Sequence, residues 1–311
     1  MKAVRIHEFG GAEAMRLDSI ETPKPASGEI LVLVKAASLN PVDYKTCEGK
    51  FPPVSRDKLP IVLGRDLAGI VDQVGPDVGT YLPGDSIYAM LAPDRGTFAE
   101  YAIVKAWEAA PQPARLNYAE AAAVPLAALT AWQGLIDHGG LTAGQRVLIH
   151  GGAGGVGHFA VQIAKVKGAS VFTTVSGGDI EFADALGAER AIDYEREKFE
   201  EVAHDIDLVF DLVAGDTQAR SWRVLKRGGI LVSTLGEPSQ EMARKHGVRA
   251  AGFMAQPNGA QLAEIGHLID QGAIRPVVEK LFPFAAASDA ESRLQHEHGR
   301  GKIVLEIAAA Q

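Results

Sequence analysis

The chain has 311 residues, 47% hydrophobic and 23% charged, with a formal net charge of -8; this is a folded composition long enough for about two domains, and its acidic balance argues against a nucleic-acid surface. One cysteine, Cys47, excludes an internal disulfide framework and a four-cysteine zinc site. The opening MKAVRIHEFG lacks the apolar run of a signal peptide, and later apolar runs are short or broken, so a cytoplasmic location and no membrane span are expected.

Residues 1–110 read as short strands separated by turns. Lys2–His7 and Glu29–Ala37 are rich in Val, Ile and Leu, with Pro23, Pro25, Ser27 and Gly28 between them. Gly69–Val74, Ser86–Met90 and Gly96–Val104 continue the series. The spacing then turns helical over Tyr118–Leu126 and Leu129–His138, with Pro125 interrupting. From Gly144 strands and helices alternate: Arg146–His150, Val156–Lys167, Ser170–Val175, Ile180–Leu186, Ile206–Asp211, Thr217–Leu225, Gly229–Ser233 and Arg249–Ala255. Alternation of this kind predicts an α/β fold with a doubly wound parallel sheet. The tail reads as helix Asn258–Gln271, strand Val277–Phe282, helix Ala286–His296 and strand Lys302–Ile307, which periodicity alone assigns to neither half.

The run Gly152-Ala153-Gly154-Gly155-Val156-Gly157 leaves a strand and opens a helix. In such a sequence the first glycine permits a tight turn, the second admits a pyrophosphate to the backbone, and the third allows the helix to approach the strand. Helix N–H groups then face the phosphates. A dinucleotide site is therefore expected. The following strand ends in Thr173-Thr174-Val175-Ser176-Gly177-Gly178, where NAD sites carry an acid. Ser176 leaves room for a 2′-phosphate and points to NADP, with a solvent-facing loop and NAD as the alternative; no Arg or Lys stands beside Ser176, Asp179 is close, and Lys165, Lys167, Arg190 and Arg196 are the candidate phosphate partners.

These motifs resemble the zinc-independent quinone oxidoreductases, the zeta-crystallin-like family of the medium-chain dehydrogenase/reductase superfamily. The family fingerprint runs from Gly144 through Gly154-Gly155, Gly157 and Gln162 to Lys165. Gly64-Arg65-Asp66, Gly69, Val74-Gly75, Val78 and Gly84-Asp85 match upstream; Leu186-Gly187-Ala188, Ile192-Asp193-Tyr194 and Gly301-Lys302-Ile303-Val304-Leu305 match downstream. The resemblance implies a GroES-like β domain from residues 1–120 and 258–311, a Rossmann domain over 121–257, an active-site cleft at their junction, and a homodimer. It also implies an NADPH-dependent enzyme that delivers hydride to a quinone or to the β-carbon of an α,β-unsaturated carbonyl. An NADPH-binding sensor or structural protein is the alternative.

Zinc members of the superfamily place a Cys and a Gly-His-Glu where this chain has Ser38-Leu39-Asn40 and Gly64-Arg65-Asp66. Arginine presents only donors and is no ordinary zinc ligand, so no metal is expected. Ser38-Leu39-Asn40-Pro41-Val42-Asp43-Tyr44-Lys45 resembles the loop of plant-type alkenal and enone reductases that lies beside nicotinamide and substrate. By that resemblance Asn40 donates to the cofactor ribose or a substrate carbonyl. Tyr44 or Lys45 stabilises an enolate oxygen, and Asp43 fixes the loop or pairs with Lys45. Thr130, His150, Tyr194, Val213, Leu235, Gly236, Phe253, Met254, Arg300 and Lys302 are the remaining candidates for lining the cofactor site. Cys47–Lys58, with Phe51-Pro52-Pro53, forms a pocket rim or an external loop.

Overall fold

The computed structural model describes residues 1–307. The last four residues of the predicted 258–311 segment lie outside the described residues.

The strands are β1 (Lys2–Ile6), β2 (Met15–Ser19), β3 (Glu29–Ser38), β4 (Ile61–Val62), β5 (Asp66–Val74), β6 (Ser86–Met90), β7 (Tyr101–Lys105) and β8 (Ala109–Pro111) in the N-terminal part. The middle part holds β9 (Arg146–His150), β10 (Ser170–Val175), β11 (Arg190–Asp193), β12 (Ile206–Asp211), β13 (Leu225–Ser233) and β14 (Arg249–Gly252). β15 (Val278–Pro283) and β16 (Lys302–Glu306) close the series. The helices are α1 (Pro41–Cys47), α2 (Tyr118–Ala122), α3 (Pro125–Trp132), α4 (Gly157–Val166), α5 (Ile180–Ala185), α6 (Phe199–Val202), α7 (Gly215–Ser221), α8 (Gln240–His246), α9 (Gly259–Asp270) and α10 (Ala287–His296). None is long and apolar enough to cross a membrane, among the described residues.

Two compact units result. The first takes Met1–Leu126, Pro257–Gly272 and the chain from Pro276 onward; the second takes Ala127–Gln256 with Ala273–Arg275. In the first unit β1 pairs with β2 and β4, and a larger sheet runs β15-β16-β3-β5-β6-β8 with β7 also on β3. Alternation in β3 puts Ile30, Val32 and Val34 into a core shared with Leu67, Ile87, Val104 and Ile303. β16 lies antiparallel to β3, with Val304 opposite Ser38 and Leu305 opposite Ala37. This register brings Lys302 to the chain that leaves β3.

The second unit is a parallel sheet in the order β11-β10-β9-β12-β13-β14. Chain order therefore reverses between β9 and β12, the switch point at which open parallel sheets bind ligands, beyond the carboxyl ends of their strands. β12 is buried along its whole length, as a central parallel strand should be.

Several expectations change. Ser38–Lys45 is not a loop: residues 41–47 form α1, with Pro41 at its first position, and the Asn40 N–H donates to Asp43 Oδ2 at 2.7 Å. Asp43 thus closes the helix start and has no ion pair with Lys45. The predicted Leu129–His138 helix changes type, since Gln133–His138 is a π-helical turn continuing α3. The left-handed residue at this turn is Gly151 (φ 77°), which immediately precedes the glycine run. Gly152 is instead packed so that a Cβ would meet Thr173 Oγ1 at 2.0 Å.

Candidate active site

The dinucleotide cradle is built on the switch point of the second unit. β9 ends at His150, Gly151 turns the chain, and α4 starts at Gly157. A Cβ on Gly157 would lie 2.0 Å from the Gly151 carbonyl oxygen, so only glycine lets α4 approach the turn. No side chain caps α4. The His158 N–H is taken by Gly154 O at 3.0 Å, and the neighbouring N–H groups at the helix start face an outside anion. These features fit a pyrophosphate. Ala153 is buried, while Gly154, Gly155 and Val156 are half-buried.

The other predicted residues of this unit follow the carboxyl ends of the same sheet. Ser176 follows β10, Tyr194 β11, Val213 β12, Leu235 and Gly236 β13, and Phe253 and Met254 β14. Tyr194, Val213, Leu235 and Met254 are large side chains left exposed at that edge. Phe253 stacks on His138 with ring centroids 4.5 Å apart. Thr130 is buried in α3. His150 is wholly buried between Thr174 Oγ1 (3.1 Å) and Ser221 Oγ (2.9 Å), and burial pulls its imidazole down to about 4, so it is neutral at neutral pH.

At the end of β10 the Ser176 hydroxyl donates to Asp179 Oδ2 at 2.6 Å. Of the cations the sequence offered, Lys167 sits over the Trp132 ring at 4.5 Å, Lys165 packs beside Gly187, and Arg190 pairs with Glu197. Arg196 is 3.6 Å from Asp193, and its side chain is 86% exposed, free to swing to a ligand on that edge.

The first unit holds a buried polar cluster. Asp66 Oδ2 accepts from Ser38 Oγ and from Asn40 Nδ2, each at 2.8 Å, and Oδ1 accepts from the Leu126 N–H at 2.8 Å. Lys302 Nζ donates to Leu39 O at 2.6 Å and to Asn40 Oδ1, and lies 3.7 Å from Asp66. Burial lowers the Lys302 ammonium below the usual lysine value, and the Asp66 carboxylate opposes that shift. Asn40, itself buried, is thereby held at its carbonyl oxygen by Lys302 and at one amide hydrogen by Asp66. Its second amide hydrogen has only a 3.4 Å contact with Ser38 O, the weakest bond in the cluster.

Asp43 lies beside this cluster, and burial raises its carboxyl to about 7. Behind it stands Glu291 of α10, wholly buried, with neither carboxyl oxygen hydrogen-bonded, and pushed well up by burial and by Asp43. Tyr44 and Lys45 are half-buried, and burial also raises the Tyr44 phenol. Cys47 is buried and its thiol is held up by the same cause, which makes it inert. Arg300 is exposed. Asp43, Arg65, Phe51 and Val54 line a small cleft.

Sequence reasoning did not assign Ser38, Asp66, Lys302 and Glu291 to one neighbourhood. The available signals were two adjacent charges, Arg65-Asp66, heading a buried strand, and an acid on the apolar face of α10. Among the described residues, no group of three or more His, Cys, Asp or Glu side chains is placed to hold a metal ion.

A parallel-sheet dinucleotide cradle and a GroES-like β unit in one chain define a medium-chain dehydrogenase/reductase. Family models agree: one for the alcohol dehydrogenase GroES-like domain matches residues 26–114, and one described as zinc-binding dehydrogenase matches residues 186–305. The NADPH-dependent alkenal/one oxidoreductase of Arabidopsis thaliana chloroplasts is 36% identical over 98% of this chain and 79% of its own. The quinone oxidoreductase of Coxiella burnetii superposes with a TM-score of 0.92 at 36% identity, covering 99% of both chains. The Escherichia coli quinone oxidoreductase, solved with NADPH, gives a TM-score of 0.89 at 28% identity over 99% of this chain and 100% of that one. The chain belongs to the zinc-independent quinone and alkenal oxidoreductases of the medium-chain dehydrogenase/reductase superfamily, and it is an enzyme of that class.

Proposed function

We propose that the protein uses NADPH to reduce a small quinone or an α,β-unsaturated carbonyl. The observation that carries this reading is the uncapped α4 behind Gly151–Gly157 at the switch point of the second unit. The NADPH dependence of the Arabidopsis relative and the NADPH in the Escherichia coli structure support the cofactor assignment. When bound, the dinucleotide supplies the hydride.

The chain's own groups bind and polarise. Gly152, Gly154, Gly155 and the N–H groups opening α4 receive the pyrophosphate. Ser176, Tyr194 and Arg196 meet the ribose 2′-phosphate. Val213, Leu235, Gly236, Phe253 and Met254 form the apolar wall that excludes water from the nicotinamide. Asn40, locked by Lys302 and Asp66, keeps the N–H of its long 3.4 Å contact for a ribose or carbonyl oxygen. Tyr44 and Lys45 are further donors for an enolate oxygen, and Asp43 holds a proton near neutral pH. A homodimer is part of the proposal, supported by β14 standing last in its sheet with an unpaired outer edge among the described residues. So is a cytosolic location, supported by a lone buried thiol that needs no oxidising compartment.

The test follows nicotinamide absorbance with a short enone, a medium-chain alkenal and a quinone, each with NADPH and with NADH. Oxidation of NADPH by at least one of them, faster than of NADH, is expected. Tight NADPH binding without oxidation in any combination would replace the reductase with a cofactor sensor.

A further inference from the structure

Arg65 is a cation that the function above leaves unused. Gly64 (φ 90°) has the Phe98 ring 2.3 Å from where a Cβ would stand, so the chain bends there as only glycine can. The two residues that follow serve different neighbourhoods. Asp66 belongs to the Lys302 cluster, and Arg65 lines the small cleft. Arg65 Nε donates to Leu91 O at 2.5 Å, which anchors the head of the side chain. Beyond that bond, no acceptor among the described residues reaches Nη1 or Nη2, and no carboxylate among them stands at ion-pairing distance. Yet the residue is 6% exposed.

The contrast with its neighbours is sharp. Arg95, which lines the same cleft, is held by both oxygens of Glu108 at 2.9 and 2.7 Å, with Asp94 at 3.2 Å. Lys302 has Leu39, Asn40 and Asp66. Asp43 also lines the cleft, but its Oδ2 is taken by the Asn40 N–H, and burial biases its carboxyl toward the neutral form. It makes no ion pair with the guanidinium, although its charge is the first to oppose the effect of burial on Arg65. Burial is the first cause of the lowered Arg65 pKa, and the charges of Asp43, Asp66, Glu108 and Asp94 oppose it without any of them pairing with the fork, which opens on the cleft. The remaining wall is apolar, with Phe51, Val54 and Ile61.

A guanidinium presents its two outer nitrogens as a planar fork that matches a carboxylate. A neutral carbonyl would fill one tine and leave the charge standing. We propose that Arg65 binds a substrate carboxylate, so that the enzyme's substrates include short α,β-unsaturated ketones bearing an acid group, of the 4-oxo-2-alkenoate class. Phe51, Val54 and Ile61 hold the intervening carbons. The substrate class rests on the proposed enone reduction; the anion site does not.

Two measurements separate them. The first compares kcat/KM for 4-oxo-2-pentenoate and its methyl ester, with NADPH, in wild type, Arg65→Met and Arg65→Lys. The acid is expected to be favoured by wild type by roughly tenfold or more, the ratio to collapse in Arg65→Met, and part of it to return in Arg65→Lys. Equal ratios in wild type and Arg65→Met overturn the proposal. The second titrates the saturated acid 4-oxopentanoate against the protein by calorimetry, without turnover. Binding by wild type that weakens roughly tenfold in Arg65→Met is expected; no binding by wild type overturns the site even if neutral enones are reduced. Binding of 4-oxopentanoate with no reduction of any enone keeps the anion site and discards the enone reading. Should Arg65→Met fail to fold, the wild-type preference and wild-type titration still decide.

Discussion

Lys302 shows how one side chain can set the geometry of another. Its ammonium holds the Asn40 carbonyl oxygen, and Asp66 holds the amide nitrogen, so the amide cannot flip. Replacing Lys302 by Met leaves Asp66 and Asn40 Oδ1 buried with a missing partner, and removal of one member of such a pair costs about 3–5 kcal/mol. Urea denaturation of Lys302→Met is expected to show a loss of that order, with unchanged slope. Glu291 makes a different prediction. Its folded pKa is raised above the unfolded value, so its stabilising contribution is complete at acid pH and is lost as the pH rises through the folded value. Glu291→Gln, which cannot ionise, should melt with wild type at about pH 3.5, below the unfolded value, and above wild type at about pH 8. A variant that melts below wild type at both pH values would contradict the assignment of a neutral, unbonded acid.

At the scale of elements, α4 and α1 show what a helix start can do. α4 has no side-chain cap and stands behind a glycine turn, whereas α1 is closed by Asp43. Gly157→Ala forces a methyl against the Gly151 carbonyl oxygen at 2.0 Å and must push α4 off the turn. NADPH affinity, read by quenching of protein fluorescence, is expected to fall by roughly tenfold or more. The cradle was legible in the sequence because its residues are consecutive and its strand and helix flank it directly. The Asn40 cluster was not, because Lys302 Nζ meets Leu39 O across 263 residues and only the register of β16 on β3 brings them together. α1 was misread for another reason. Asn-Pro looks like a turn, yet Asn, Pro and Asp at positions 40, 41 and 43 are equally the cap, first residue and third residue of a helix. The π turn at Gln133–His138 left no trace in the hydrophobic spacing, because one extra residue per turn displaces a stripe by less than its width.

The whole molecule is one chain in which the second unit is inserted between pieces of the first. The parallel sheet is built from neighbouring segments in sequence, and its parallel character was foreseeable from their alternation, whereas the strand order and the short edge strand β11 were not. The GroES-like sheet recruits β16 from the far end of the chain, so its composition was foreseeable only through family resemblance. β3 carries a consequence for synthesis. A chain made from its N-terminus at ~5–20 residues per second produces β3 roughly 13–53 s before the 263-residue interval to Lys302 is complete. Throughout that time the edge of β3 that β16 will cover, with the Asn40 amide beside it, has no partner strand. The inserted unit can close its own sheet meanwhile. The nascent protein thus has every strand of its parallel sheet before it has every strand of its GroES-like sheet.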